Sequence, residues 1–200
     1  RGIDNIITWI EEDHTQELSP KMKEYIRLIK GRLTRAENLI QGILSYARVG
    51  REMPVKEETD LSALLQEVRE NFALRPGLML EFQSGLPTIF TERLPLQQVL
   101  SNLISNAIKY HDKPHGKIKV NFKDQYDYYE FIVEDDGPGI SKNYHDKIFV
   151  IFQTLQDRDS FESTGVGLAI VKKILDDRKQ SIQVISETGK GSVFTFTWPK

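Results

Sequence analysis

An apolar stripe along residues 22–47 constrains this chain more than any other feature. Met22, Ile26, Ile29, Leu33, Ala36, Ile40, Ile43 and Ala47 follow one another at steps alternating between four and three. Sustained over nearly four heptads, that spacing keeps one seam of a helix against a partner. Ser19 supplies an N-cap and Pro20 a first helical residue, while Gly50 and Pro54 stop the run. A helix of about 30 residues is about 45 Å long, too long for a small domain to cover. Tyr25, Leu28, Leu39 and Tyr46 widen the stripe. Upstream, Ile3, Ile6, Ile7 and Ile10 with Trp9 predict a shorter amphipathic helix ending near Asp13, and the connection through His14 and Glu17 predicts an antiparallel hairpin. One hairpin leaves apolar surface uncovered, so a homodimeric four-helix bundle is expected. Packing of the hairpin against the rest of the chain is the other way to cover it.

After Pro54 the period changes. Asp60 can cap a helix over Leu61–Phe72, followed by a short strand near Leu78–Phe82 and a long helix from about Pro95 to Tyr110. Alternation places Ile118, Val120 and Phe122 on one strand face, then Phe131 and Val133 on the next. A helix from Leu168 to about Asp177 and strands at Ile182–Ile185 and Val193–Trp198 complete the chain. Strands and helices interleave without strict βαβ repeats. The expected class is α+β: a helical hairpin over 1–52, then an α/β sandwich over 55–200 with a mixed sheet and helices on one face.

A net charge of −2 offers no electrostatic ground for a nucleic acid or anionic membrane as main partner. No apolar run approaches the ~20 residues that cross a bilayer. With no cysteine, disulfides and thiolate metal sites are excluded, which fits a cytoplasmic setting. Arg1 opens the chain inside a predicted helix, so the sequence reads as an excerpt of something longer.

Three segments carry candidate chemistry. Asn102 and Asn106 stand one turn apart beside the apolar stripe Val99, Leu103 and Ala107, with Lys109 three residues on. Asparagine is a poor helix-interior residue. Paired amide carbonyls suit Mg²⁺, which is usually shared with substrate phosphates; Lys109 would meet a phosphate and Tyr110 a base. A solvated polar face is the plainer reading. Asp135-Asp136-Gly137-Pro138-Gly139-Ile140 ends a strand, where a carboxylate can accept a hydrogen bond from an adenine amino group; the same Asp-Gly and Pro-Gly pairs also build ordinary turns. Ser163-Thr164-Gly165-Val166-Gly167-Leu168 precedes a helix, where glycines leave N–H groups facing a phosphate or merely cap the helix. Gly189-Lys190-Gly191-Ser192 lacks the spacing of a P-loop and reads as a turn with Ser192 near a nucleotide.

Together and in this order the segments resemble the sensor histidine kinases. Asn102 to Tyr110 resembles the N box, Asp135 to Ile140 the G1 box, Ile148 to Phe152 the F box, and Thr164 to Ala169 the G2 box. The resemblance implies a Bergerat (GHKL) ATP-binding domain behind a dimerisation and histidine-phosphotransfer hairpin. Asn106 would then hold Mg²⁺, with Asn102 a second amide on the phosphate side and Lys109 a phosphate contact. Tyr110 would line the adenine pocket and Asp135 would read the adenine amino group. Gly137, Gly139, Gly165 and Gly167, with Ile140, Thr164, Val166, Leu168 and Ser192, would surround the nucleotide under a lid of roughly 141–165. Arg158 is the lid residue placed for the γ-phosphate, and Phe149 and Phe152 would anchor the lid by packing. The run Phe152-Gln153-Thr154-Leu155-Gln156 resembles kinases joined to PAS, GAF or phytochrome-like sensors.

The family pattern implies autophosphorylation of a histidine, then transfer to an aspartate on a response-regulator receiver domain. A non-catalytic nucleotide-binding dimeric scaffold is the alternative. Three departures stand out. Ser163 replaces a common glycine, and Asp136 replaces the usual asparagine, adding negative charge near the site. The phosphoacceptor would lie about seven residues before Arg1. Of the four histidines present, His14, His111, His115 and His145, none is expected on the first helix face, and His111 is expected to help line the phosphate side.

Overall fold

The computed structural model describes residues 2–13, 18–51, 55–153 and 164–200. Two helices come first, α1 (Gly2–Asp13) and α2 (Pro20–Arg48). Ser19 caps α2, its Oγ accepting the Met22 N–H at 3.2 Å, with Pro20 opening the helix as its spacing predicts. The helices meet through Ile7, Leu18 and Ile26, with Leu33 against them, and through a Lys30–Glu11 ion pair. Beyond that small cluster the stripe is open, with Met22, Ile29, Ile40 and Ile43 exposed. The connecting residues His14 and Glu17 lie outside the described residues.

The rest is α+β, and its centre is a sheet of five strands. These are β2 (Leu78–Phe82), β4 (Gly116–Asp124), β5 (Tyr128–Asp135), β6 (Ile182–Ser186) and β7 (Ser192–Pro199), in the order β2-β4-β5-β7-β6. Only β2 and β4 run parallel; the remaining pairs are antiparallel, so the sheet is mixed. Parallel neighbours need a crossover, and the chain makes it through β3 (Thr88–Thr91) and α4 (Arg93–Tyr110). β3 pairs antiparallel with β1 (Glu57–Asp60) in a separate two-stranded ribbon. Neither ribbon strand is foreseen from sequence, because Glu57-Glu58-Thr59-Asp60 shows no apolar alternation. Asp60 still caps α3 (Leu61–Glu70), accepting N–H bonds from Ser62 at 2.8 Å and Ala63 at 3.2 Å.

One face of the sheet is dry. Ile118, Val120 and Phe122 of β4, Phe131 and Val133 of β5, and Phe194, Phe196 and Trp198 of β7 are buried beneath α3, α4 and α5 (Gly167–Asp177). Phe122, Phe131 and Phe196 form a ladder across three strands, with ring centres 5.2 and 5.1 Å apart. The period of two explains the other face, where Lys119, Asn121, Ile132 and Thr195 remain half exposed. Asp135 and Ser192 sit opposite each other on the dry side, one step beyond Val133 and Phe194. There the apolar ladder ends and polar chemistry begins.

Candidate functional site

Helix α4 is amphipathic in a particular way. Leu96, Val99, Leu100, Leu103, Ile104 and Ala107 are buried in the core, which turns Asn102, Ser105, Asn106, Lys109 and Tyr110 along a half-buried flank. The Asn102 amide Nδ2 donates to the Gln98 carbonyl at 2.8 Å. Its Oδ1 then faces Gly167, where an added Cβ would sit 2.8 Å away. A glycine at 167 is therefore what lets the start of α5 approach α4.

At the end of β5, Asp135 Oδ1 accepts the Gly137 N–H at 2.9 Å. Burial pushes the Asp135 carboxyl above its ordinary range, opposed in part by N–H bonds from Gly137 and Ser192. The following turn is held from behind. Ser186 Oγ accepts the Ile140 N–H at 2.7 Å and lies 2.8 Å from the Gly191 carbonyl. Gly139 has φ +68°, and a Cβ there would meet the Glu187 carbonyl oxygen at 2.1 Å.

Before α5, the Phe152 N–H donates to the Gly165 carbonyl at 2.9 Å. Gly165 has φ +65°, and a Cβ would lie 2.7 Å from the Gln153 carbonyl oxygen. Phe149 packs on the core, whereas Phe152 is exposed in a left-handed conformation. Helix α5 begins at Gly167 with no side-chain cap.

These segments surround one cavity of about 510 Å³, ample for a mononucleotide. Asn102, Asn106, Lys109, Tyr110 and Asp135 line it, with Gly139, Ile140, Thr164, Gly165, Gly167, Leu168 and Ser192. Gly137 and Val166 stand beside the cavity rather than in its lining: Gly137 is buried against His111, and Val166 abuts Gly42 of α2. Arg158, Ser163 and the run Thr154-Leu155-Gln156 lie outside the described residues.

The lining also includes residues that the sequence analysis gives no individual role: Pro138, Ser141, Tyr144, Ile148, Gln153, Phe194 and, from α2, Asn38. Four and eight residues after Asn38, α2 meets α5 again. A Cβ on Gly42 would be 3.2 Å from Val166, and Lys173 Nζ lies 4.4 Å from the Tyr46 ring centre while bonding the Tyr46 carbonyl at 2.8 Å.

One expectation needs correction. His111 does not line the cavity. Its side chain is fully buried, with Nε2 2.7 Å from Asp136 Oδ1 and Nδ1 3.0 Å from an Arg75 nitrogen. Asp136 does add charge beside the site, joining burial in pushing the Asp135 carboxyl up, while its Oδ1 also accepts the Lys117 N–H at 2.8 Å. Burial pushes the Asp136 carboxyl up, but hydrogen bonds from His111 and the Lys117 backbone outweigh it and leave the group below its ordinary range. His145 Nε2 lies 3.1 Å from the Ile140 carbonyl, His115 packs near Gly77, and His14 is outside the described residues.

Residues 91–200 match the family described as histidine kinase-, DNA gyrase B-, and HSP90-like ATPase, which is more than half of the chain. The chain belongs to that family. Within it, the similarity is to sensor histidine kinase ATP-binding cores. The phytochrome-like protein Cph1 of Synechocystis is 33% identical over 200 residues, covering 98% of this chain and 27% of that protein. ShkA in complex with AMPPNP superposes with TM-score 0.73 and 25% identity, over 93% of this chain and 40% of that one. The histidine kinase ThkA, solved with the response regulator TrrA, gives TM-score 0.69 and 29% identity over 98% of this chain and 57% of that one. The chain spans about a quarter of the length of the curated relatives it matches. The family and the AMPPNP-bound neighbour support ATP binding by this kinase-type ATPase core.

Proposed function

We propose that this chain binds Mg–ATP in the cavity between α4, the end of β5 and the start of α5, as the catalytic part of a sensor histidine kinase. The observation that carries the reading is that Asn102, Asn106, Asp135 and the glycines 165 and 167, from three separate segments, border a single cavity. Asp135 accepts the adenine amino group, and Tyr110 flanks the base. Lys109 and the Asn102 amide stand on the phosphate side, with Arg158 as the lid cation. Asn106 offers one neutral amide oxygen, which suits an ion whose other ligands are phosphate oxygens and water. When bound with the nucleotide, Mg²⁺ supplies neutralisation of the phosphate charge. The chain's own groups position the triphosphate and exclude water from it.

In the longer protein, a neutral imidazole upstream attacks the γ-phosphorus, forming a nitrogen–phosphorus bond as the bond to the departing ADP oxygen breaks. The phosphohistidine then donates to a receiver-domain aspartate. ThkA is known in complex with a response regulator, which supports that class of partner. Residues 1–52 form the dimerisation and phosphotransfer part and 55–200 the catalytic part. The open apolar stripe of α1 and α2 supports a four-helix bundle made with a second copy.

The test is Asn106→Ala in a protein extended upstream to include the histidine. Phosphotransfer from labelled ATP is expected to fall at least a hundredfold while the circular dichroism spectrum stays unchanged. Full autokinase activity in that variant would overturn the assignment.

A further inference from the structure

We propose that His111 is a positioning residue for base selectivity: standing just after the last turn of α4, it holds the end of β5, which carries Asp135, in place. This rests on the nucleotide reading above and adds a role for a residue that touches no ligand. The guanidinium of Arg75, 3.0 Å from His111 Nδ1, has only donors. Nδ1 therefore accepts, the ring proton sits on Nε2, and Nε2–H donates to Asp136 Oδ1 at 2.7 Å. That same oxygen accepts the Lys117 N–H of β4 at 2.8 Å. Arg75 is itself pinned by the Lys113 carbonyl at 2.5 Å, and Lys113 Nζ bonds the Asp136 carbonyl. One imidazole thus gathers the approach to β2, the end of α4, the start of β4 and the end of β5.

The ring has no room to do otherwise. A Cβ on Gly116 would lie 2.0 Å from its Cε1, and one on Gly137 3.7 Å from its Cδ2. Asp136 is held at both its side chain and its carbonyl, and it stands between Asp135 and Gly137, whose own hydrogen bond sets the Asp135 carboxyl. Loosening His111 frees the residue next to the base-reading carboxylate, while the amides on α4 and the uncapped start of α5 stay in place. The damage should fall on the base and spare the phosphates. That direction separates a positioning role from a merely structural one.

Only Oδ1 of Asp136 is used in the bonds to His111 and Lys117, so an asparagine carbonyl oxygen in its place keeps both. The experiment is calorimetric titration of the whole chain with Mg–ATP and with Mg–inosine triphosphate, whose base carries an oxo group in place of the amino group. The wild type is expected to prefer ATP by about tenfold or more, the worth of a hydrogen bond to a charged group. In His111→Leu, ATP affinity should fall about tenfold and inosine triphosphate affinity less than about threefold, so the preference collapses. His111→Gln, which keeps a donor toward Asp136, and Asp136→Asn should retain most of the preference, while Asp136→Ala should not. If His111→Leu does not fold, the contrast between Asp136→Asn and Asp136→Ala carries the test alone. Equal losses for both nucleotides, or an unchanged preference in His111→Leu or Asp136→Ala, would overturn the role of His111. A wild type that binds neither nucleotide overturns the cavity assignment itself, and this inference with it.

Discussion

The two tryptophans mark how differently the two halves of this chain treat apolar surface. Trp198, on β7, is fully buried; its Nε1–H donates to Thr91 Oγ1 at 2.6 Å, and the Arg178 guanidinium lies 5.3 Å from its ring. Trp9, on α1, is 58% exposed in the company of Ile3, Ile6 and Ile10. A sheet with a layer of helices closes a core by itself, because each element offers a wide apolar face to the next. Two helices have only one seam between them, and here it buries little more than Ile7, Leu18 and Ile26. The first region buries most of its large apolar side chains in one core; the second carries a surface that stays costly until something covers it.

The largest effect expected on that contrast is Trp198→Ala, which should destabilise the sheet region by about 3–5 kcal/mol and leave Thr91 without its donor, as read by chemical denaturation. Next comes the pair Ile29→Asn and Ile40→Asn. Each removes a side chain worth about 1.5–3 kcal/mol when buried, so in sedimentation the proposed dimer should give way to a monomer, with the melting of the sheet region unmoved. An unaltered mass would mean the stripe is not where copies meet, and the comparison would have to be redrawn.

A smaller effect comes from Asp135→Asn. In the folded chain this carboxyl titrates above its ordinary value of 3.8, so ionising it costs the fold. That stability is fully present below 3.8, is lost as pH rises through the raised value, and stays lost at neutrality. Asp135→Asn should therefore raise the melting temperature at pH 7 while weakening ATP binding, and the gain should shrink toward pH 3.5. Asp136 behaves in the opposite sense, contributing stability above 3.8 that is lost as pH falls through its depressed value. The smallest change is Lys172→Ala, which removes an exposed pair with Asp176 one turn away and should cost only about 0.3–0.5 kcal/mol.

Much of the fold is legible because its signals are local. The alternation Ile118, Val120, Phe122 is a strand in any context with one wet face, and Ser19-Pro20 and Asp60 start helices through hydrogen bonds that reach only three residues. The ribbon of β1 and β3 is not legible, because Thr59 and Thr91 are buried polar residues whose strand character depends on each other's strand and on Trp198. In the candidate site, the N, G1 and G2 segments announce themselves by composition. Asn38 does not, since it enters the cavity only because α2 lies against α5.

Taken by itself, the order of residues determined the two periodicities, the caps and the three polar segments, since each is set by neighbours within a turn or two of backbone. Only tertiary structure decided that His111 is a buried strut rather than a cavity wall, and that Asp136 Oδ1 meets both His111 and Lys117. The physical reason is distance along the chain. Arg75, His111 and Asp136 have no local pattern in common, and the hydrogen bonds that define them exist only once β2, α4, β4 and β5 have come together.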